Sequence, residues 1–227
     1  MDTRVISIGT LAMHPLWGEK VPVRTGHMTC SLVRCDDMVL LVDPGLPEQA
    51  ITARLAERSG LTPGDITHVF LTRFLPDSTR GIMAFPDATW WISPIEREVL
   101  GVAIAQELRR AHDAQQQDVV EILSHQVALL RRCEPAPDAL CAGVSVFPMP
   151  GVTQGACGLL LAEALGTTLI CGDAIATIEH LEAGRVLERC TDVDRARESL
   201  AEGLEIADWL VLGRDNAVVN RVAPGPF

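Results

Sequence analysis

Apolar and polar positions along the chain keep strand-like and helix-like rhythms in turn. Val5-Ile6-Ser7-Ile8, Thr29 to Arg34 and Val39 to Val42 read as strands, the last a continuous apolar run of the kind buried on both faces. Pro47 opens a helix that carries Ile51 and Leu55 on one face and closes at Gly60. Ile66 to Thr72 and Thr89 to Ile92 are further strands. The second half repeats the order with Val144 to Phe147, Gly158 to Leu161, Thr167 to Cys171, a helix around Arg195 to Ala207 and a last strand from Trp209 to Leu212. This succession predicts an α/β (α+β) protein in which two layered sheets are flanked by helices, with no sequence repeat and no low-complexity tract.

One stretch is extra to that pattern. Ile95 to Cys133 is helical in composition, contains Gln115-Gln116-Gln117 and stops at Glu134-Pro135-Ala136-Pro137. Val119, Val120, Ile122, Leu123, Val127 and Leu130 recur at near-helical spacing, so one face is apolar. Residues 95–133 are expected to pack that face on the domain; a lid over a cleft or a homodimer surface are the other uses it allows.

Composition narrows the class. The chain has 227 residues, 48% of them hydrophobic, enough for one sizeable core, and residues 1–227 are expected to form a single domain. A net charge of −11 argues against nucleic acid or an anionic membrane as partner, because either needs a basic face. No signal-peptide core is present and no apolar run approaches a membrane span. The seven cysteines lack CxxC or zinc-finger spacing, which predicts reduced thiols and a cytoplasmic location.

Five short segments carry the chemistry. Asp43-Pro44-Gly45 follows an apolar strand, and Thr72-Arg73-Phe74-Leu75-Pro76-Asp77-Ser78 follows another. Pro150-Gly151-Val152-Thr153-Gln154-Gly155, Gly172-Asp173 and Gly213-Arg214 come later. Their order resembles the metallo-β-lactamase superfamily, whose motifs are an early Asp-x-Gly turn, a His-x-His-x-Asp-His loop, Pro-Gly-His-Thr-x-Gly, a Gly-Asp and a final Gly-His. The resemblance implies a four-layer αββα sandwich. It also puts Arg73, Leu75, Ser78, Val152 and Arg214 where the family has metal-binding histidines, while Asp77 and Asp173 remain and Asp43 is structural.

Those replacements bear directly on function. A catalytic zinc needs about three His, Cys or carboxylate ligands and an open position for water, and a two-metal site needs more. Zinc is therefore expected to be absent, and Arg73 and Arg214 are expected to pair with the aspartates in its place. Among other groups, His27 and His180 are candidates for the cleft mouth, and Cys171 is a candidate for the cleft or for the core. Two classes follow: a non-catalytic or metal-free pseudoenzyme that binds a small metabolite or a protein partner, or a hydrolase of lactone, ester or thioester type that uses unusual ligands or no metal.

Overall fold

The computed structural model describes residues 1–221. One sheet runs β1 (Asp2–Ser7), β2 (Cys30–Cys35), β3 (Met38–Val42), β4 (His68–Leu71), β5 (Thr89–Ile92) and β6 (Glu134–Pro135), in that spatial order. The β1–β2 and β2–β3 pairs are antiparallel, and pairing from β3 onward is parallel. The other sheet runs β7 (Ala139–Cys141), β8 (Val144–Pro148), β9 (Cys157–Glu163), β10 (Gly166–Ile170), β11 (Trp209–Val211) and β12 (Ala217–Val219). Here only β10 and β11 are parallel.

The continuous apolar runs arise because both faces of each sheet are buried. In β3, Leu40 and Val42 point to the space between the sheets while Leu41 points the other way. In β4, Phe70 enters the inter-sheet core and Val69 and Leu71 face outward. Strands β9, β10 and β11 send Leu159, Leu161, Ile170 and Val211 to the same inter-sheet core. Leu169 and Leu210 turn to the opposite face. Full burial of each such side chain is worth roughly 1.5–3 kcal/mol.

Helices cover both outer faces. On the first sheet lie α1 (Glu48–Ser59), through Ile51 and Leu55, and two longer helices, α3 (Pro94–Asp113) and α4 (Gln117–Arg132), through Ile104 and Leu130. A single turn, α2 (Pro76–Thr79), precedes them in the chain. On the second sheet lie α5 (Ile178–Glu182) and α6 (Val193–Ile206), through Leu181 and Leu200. The order helices, sheet, sheet, helices is the αββα sandwich. Gly60 ends α1 in the left-handed conformation, the ordinary C-terminal stop.

The helical stretch 95–133 is a hairpin of two helices, broken where Gln115 takes a φ of 56°. One feature differs from the expectations above. Cys35 and Cys141 form a disulfide, so not every thiol is reduced. These two lie 106 positions apart and meet, Cα to Cα at 6.5 Å, only because the sheets pack face to face. Cys30, Cys133, Cys157, Cys171 and Cys190 are free.

Most of the hairpin's apolar stripe faces its own domain, Ile122 alone among the named positions being exposed. Val120 and Leu130 are buried, and Leu123, Val127 and Leu129 pack on the first core. Replacing both Val120 and Leu123 by Asp is expected to lower the melting temperature steeply. Burying unpaired charge costs several kcal/mol, comparable with the whole stability of a domain. An unchanged melting curve would contradict this packing.

Candidate functional site

The strand ends deliver the candidate residues to one place. Arg73 lies just beyond β4 and Asp77 on α2, Asp173 in the turn after β10, and Arg214 just after β11. Close backbone approach sets the spacing. Asp77 O accepts from Met28 N at 2.9 Å, and a Cβ on Gly45 would lie 1.9 Å from that same oxygen. Gly213 is similarly pressed against Gly172, where a Cβ would stand 2.1 Å from the carbonyl oxygen.

The four side chains form one ion-pair cluster. Arg214 donates from Nε to Asp173 Oδ1 at 2.7 Å and from Nη2 to Asp173 Oδ2 at 2.9 Å, a two-point fork. The same Nη2 reaches Asp77 Oδ2 at 2.5 Å. Arg73 Nη2 contacts Asp173 Oδ2 and donates to Asp77 at 3.2 and 3.3 Å. Each of the four carboxylate oxygens therefore faces a guanidinium. Arg73, Asp173 and Arg214 are buried and Asp77 is partly exposed.

Electrostatics follow from that geometry. Burial opposes the charge of Asp173, but Arg214 and Arg73 outweigh it and hold the carboxyl at about 2. Burial also opposes the charge of Arg214, whose pKa is nevertheless raised by Asp173 and Asp77. Nε of Arg73 is buried without a partner among the described residues.

Asp43 has the opposite behaviour. It joins the ends of β3 and β4, accepting from Thr72 N at 3.0 Å and from Thr72 Oγ1 at 2.7 Å. Burial dominates and raises its pKa from 3.8 to about 7, with the Thr72 hydrogen bonds opposing. A raised carboxyl pKa means that the folded state binds its proton more tightly than the unfolded chain. Its stabilising share is full below pH 3.8 and is lost as pH rises through about 7. Asp43→Asn is expected to flatten the decline in stability across that window, by an amount on the order of a few kcal/mol. Urea titrations at pH 4.5 and 7.5, buffer conditions spanning roughly that range, measure it, and parallel pH profiles for both proteins would refute the role.

Other residues deserve separate placement. Leu75 is partly exposed and lines the cleft, as do Val152 and His180. Ser78 lies within the α2 turn instead. It is fully buried, its hydroxyl 2.8 Å from Arg73 O and 2.9 Å from Leu75 O, and it does not line the cleft. His27 is also outside the cleft, its ring nitrogens near Ile8 O and Thr25 O in a β-bridge to Thr10. Cys171 is core: it packs with Leu169 and Leu212, its thiol donates to Leu169 O, and burial pushes its pKa up.

Glu96 was not singled out from the sequence. On the first turn of α3 it accepts from Phe74 N at 3.1 Å, Thr153 Oγ1 at 2.7 Å and Gly155 N at 3.2 Å. The helical insertion thus ties together the two loops that carry Arg73 and Val152. The usable signal was an acid three residues after Ser93, a helix N-cap pattern that does not foretell partners so distant.

The ion-pair cluster, Leu75, Val152 and His180 line a cavity of about 520 Å³, together with Arg80, Glu188, Arg189 and apolar side chains. The donor set does not suit zinc. Guanidinium, isobutyl and isopropyl groups at positions 73, 214, 75 and 152 offer no ligand lone pair, and arginines already occupy the carboxylate oxygens. Among the described residues no group of three or more His, Cys, Asp or Glu is placed to share a metal. No helix among them is long and apolar enough to cross a membrane.

The chain belongs to the metallo-beta-lactamase superfamily, whose family model matches residues 24–208. Probable metallo-hydrolases of Mycobacterium bovis and Mycobacterium tuberculosis are each 25% identical over 195 residues, covering 67% of this chain. The match spans 63% of the length of those relatives. A solved structure of a probable metal-dependent hydrolase from Staphylococcus aureus superposes with a TM-score of 0.68 at 15% identity, covering 96% of this chain and 91% of that one. AidC, a dizinc quorum-quenching lactonase, superposes at 0.62 with 22% identity, over 78% and 68% of the two chains.

Proposed function

We propose that this protein is a pseudoenzyme of its superfamily, in which two arginines replace the metals and the cleft binds a small anionic metabolite without hydrolysing it. The observation that carries this reading is the bridging of Asp77 and Asp173 by Arg73 and Arg214. Two divalent ions would otherwise balance those carboxylates and activate a water. Here permanently charged guanidiniums balance them and offer no water-activating centre. The cluster is neutral, so it holds the cleft's shape rather than attracting charge.

Attraction comes from the rim. Arg80 donates only to the carbonyls of Gly26 and Gly45, and neither it nor the exposed Arg189 has a carboxylate partner among the described residues. Two arginines against the single exposed carboxylate of Glu188, beside apolar walls, suit a small carboxylate with a hydrocarbon tail, in a cavity of ordinary ligand size.

Elemental analysis of protein dialysed against a weak chelator is expected to find no stoichiometric zinc or iron. About one zinc per chain would overturn the pseudoenzyme reading and favour a hydrolase with an unusual ligand set. Calorimetric titration with octanoate tests the anionic cleft, and Arg80→Gln is expected to weaken binding about tenfold, the share of one charge-assisted contact.

A further inference from the structure

Next to the ion-pair cluster, Thr177 caps α5 and accepts from the backbone N–H of His180 at 3.4 Å. The same hydroxyl lies 2.7 Å from Glu179 Oε2 and 2.9 Å from His180 Nδ1. It has a single proton to give. Burial works against the charge of Glu179, but bonds from Thr177, its own N–H and Trp17 hold its carboxyl below the usual range. An ionised carboxylate is acceptor only and makes the shorter, charge-assisted contact, so the Thr177 proton goes to it. Thr177 Oγ1 is then an acceptor toward His180 Nδ1, and the 2.9 Å contact, shorter than the 3.3 Å one to His14 Nε2, favours the tautomer with the proton on Nδ1.

A neutral imidazole carries one N–H, so this arrangement leaves Nε2 of His180 with its lone pair. Burial lowers the His180 pKa and His14, with ring centroids 5.4 Å away, pushes the same way, which keeps the ring neutral. The ring is firmly placed. His14 stacks on Trp17 at 4.2 Å and stands 3.3 Å from both Thr177 Oγ1 and Glu179 Oε2, while Trp17 Nε1 donates to Glu179 Oε1 at 2.7 Å. His180 is only 3% exposed, lines the cleft with Asp173 and Arg214, and its Nε2 has no partner among the described residues.

We propose that His180 is the specificity-determining residue of the cleft, its Nε2 accepting a hydrogen bond from a protic group on a small amphipathic carboxylate. The inference rests on the anionic-cleft reading above and adds a requirement to it: the ligand must carry an O–H or N–H donor as well as a charge. The guanidiniums of the cleft can only donate, and both aspartates are engaged by them. Glu188, the remaining carboxylate of the lining, is exposed to solvent, so Nε2 is the buried side-chain acceptor left for such a group. A ligand without a donor would bury Nε2 unpaired, the more costly outcome.

Octanoate and its 2-, 3- and 4-hydroxy derivatives test this by calorimetry, because they share charge and tail and differ by one donor. At least one hydroxy acid is expected to bind wild-type protein about tenfold more tightly than octanoate, the worth of one buried hydrogen bond. His180→Leu should reduce that acid to the affinity of octanoate, and His180→Gln, which restores an acceptor oxygen, should recover part of the preference. Equal affinity of all four acids for wild-type protein, or a preference that survives His180→Leu, overturns the role of His180 while leaving the anionic cleft standing. Binding of none of them overturns the cleft reading and this inference with it. The wild-type comparison decides even where a variant does not fold.

Discussion

Arg214→Ala is expected to destabilise the protein by about 3–5 kcal/mol, the cost of taking one member out of a buried charge cluster and leaving Arg73 alone against two carboxylates. Asp173 loses two of its hydrogen bonds in that variant, at 2.7 and 2.9 Å, and Asp77 loses one at 2.5 Å. The side chain of Asp173 is 1% exposed and that of Asp77 is 26% exposed. Water can therefore resolvate Asp77 but not Asp173. It follows that Asp173→Asn should rescue Arg214→Ala far better than Asp77→Asn does. Urea unfolding of the two double variants beside the single one measures the difference. Equal rescue by both, or no loss in the single variant, would contradict the buried pairing. The shift of Asp173 adds a pH signature. With its folded carboxyl at about 2, its stabilising share is present above 3.8 and disappears as pH falls toward 2.

Much of the fold was legible because burial on both faces writes itself into strands as unbroken apolar runs. Met38 to Val42 and Thr89 to Ile92 are strands, and the helix after Pro47 ends at Gly60 as its left-handed stop requires. Shorter edge strands were not legible: Glu134–Pro135 and Ala139–Cys141 are too brief to carry a period. The helical character of 95–133 was legible but the place of its turn was not, because glutamine is a good helix former and nothing local marks Gln115 for a left-handed conformation. At the site, Arg73 and Asp77 stand four apart and could be read as neighbours from the loop alone. Their meeting with Asp173 and Arg214 was reachable only through the family resemblance. Glu96, whose partners lie up to 59 positions away, had no such guide. The histidines divide on the same principle. His27 is spent on backbone carbonyls, whereas a threonine cap turns His180 into the cleft wall.

Replacing Arg73, Leu75 and Val152 together by histidine is expected to give a protein that binds about one zinc per chain, against the none expected of the wild-type protein. Three imidazoles with the Asp173 carboxylate supply the four-ligand set that zinc takes. Arg73→His also frees Asp173 Oδ2 and Asp77 from one of their two guanidiniums, while Arg214 stays to hold the remaining charge. Ser78 is left untouched, because it is fully buried and its hydroxyl engages the carbonyls of Arg73 and Leu75. A histidine there would have to break that turn, displacing Asp77 with it. Leu75 and Val152 already line the cleft, so imidazoles at those positions can reach it without moving the backbone. Elemental analysis after dialysis gives the stoichiometry, and a melting temperature that rises with added zinc gives the linkage between binding and folding. A folded triple variant that takes up no zinc would mean that the backbone around these positions has drifted from metal-binding geometry. In that case the arginines could not be regarded as substitutes for an ion at the same place.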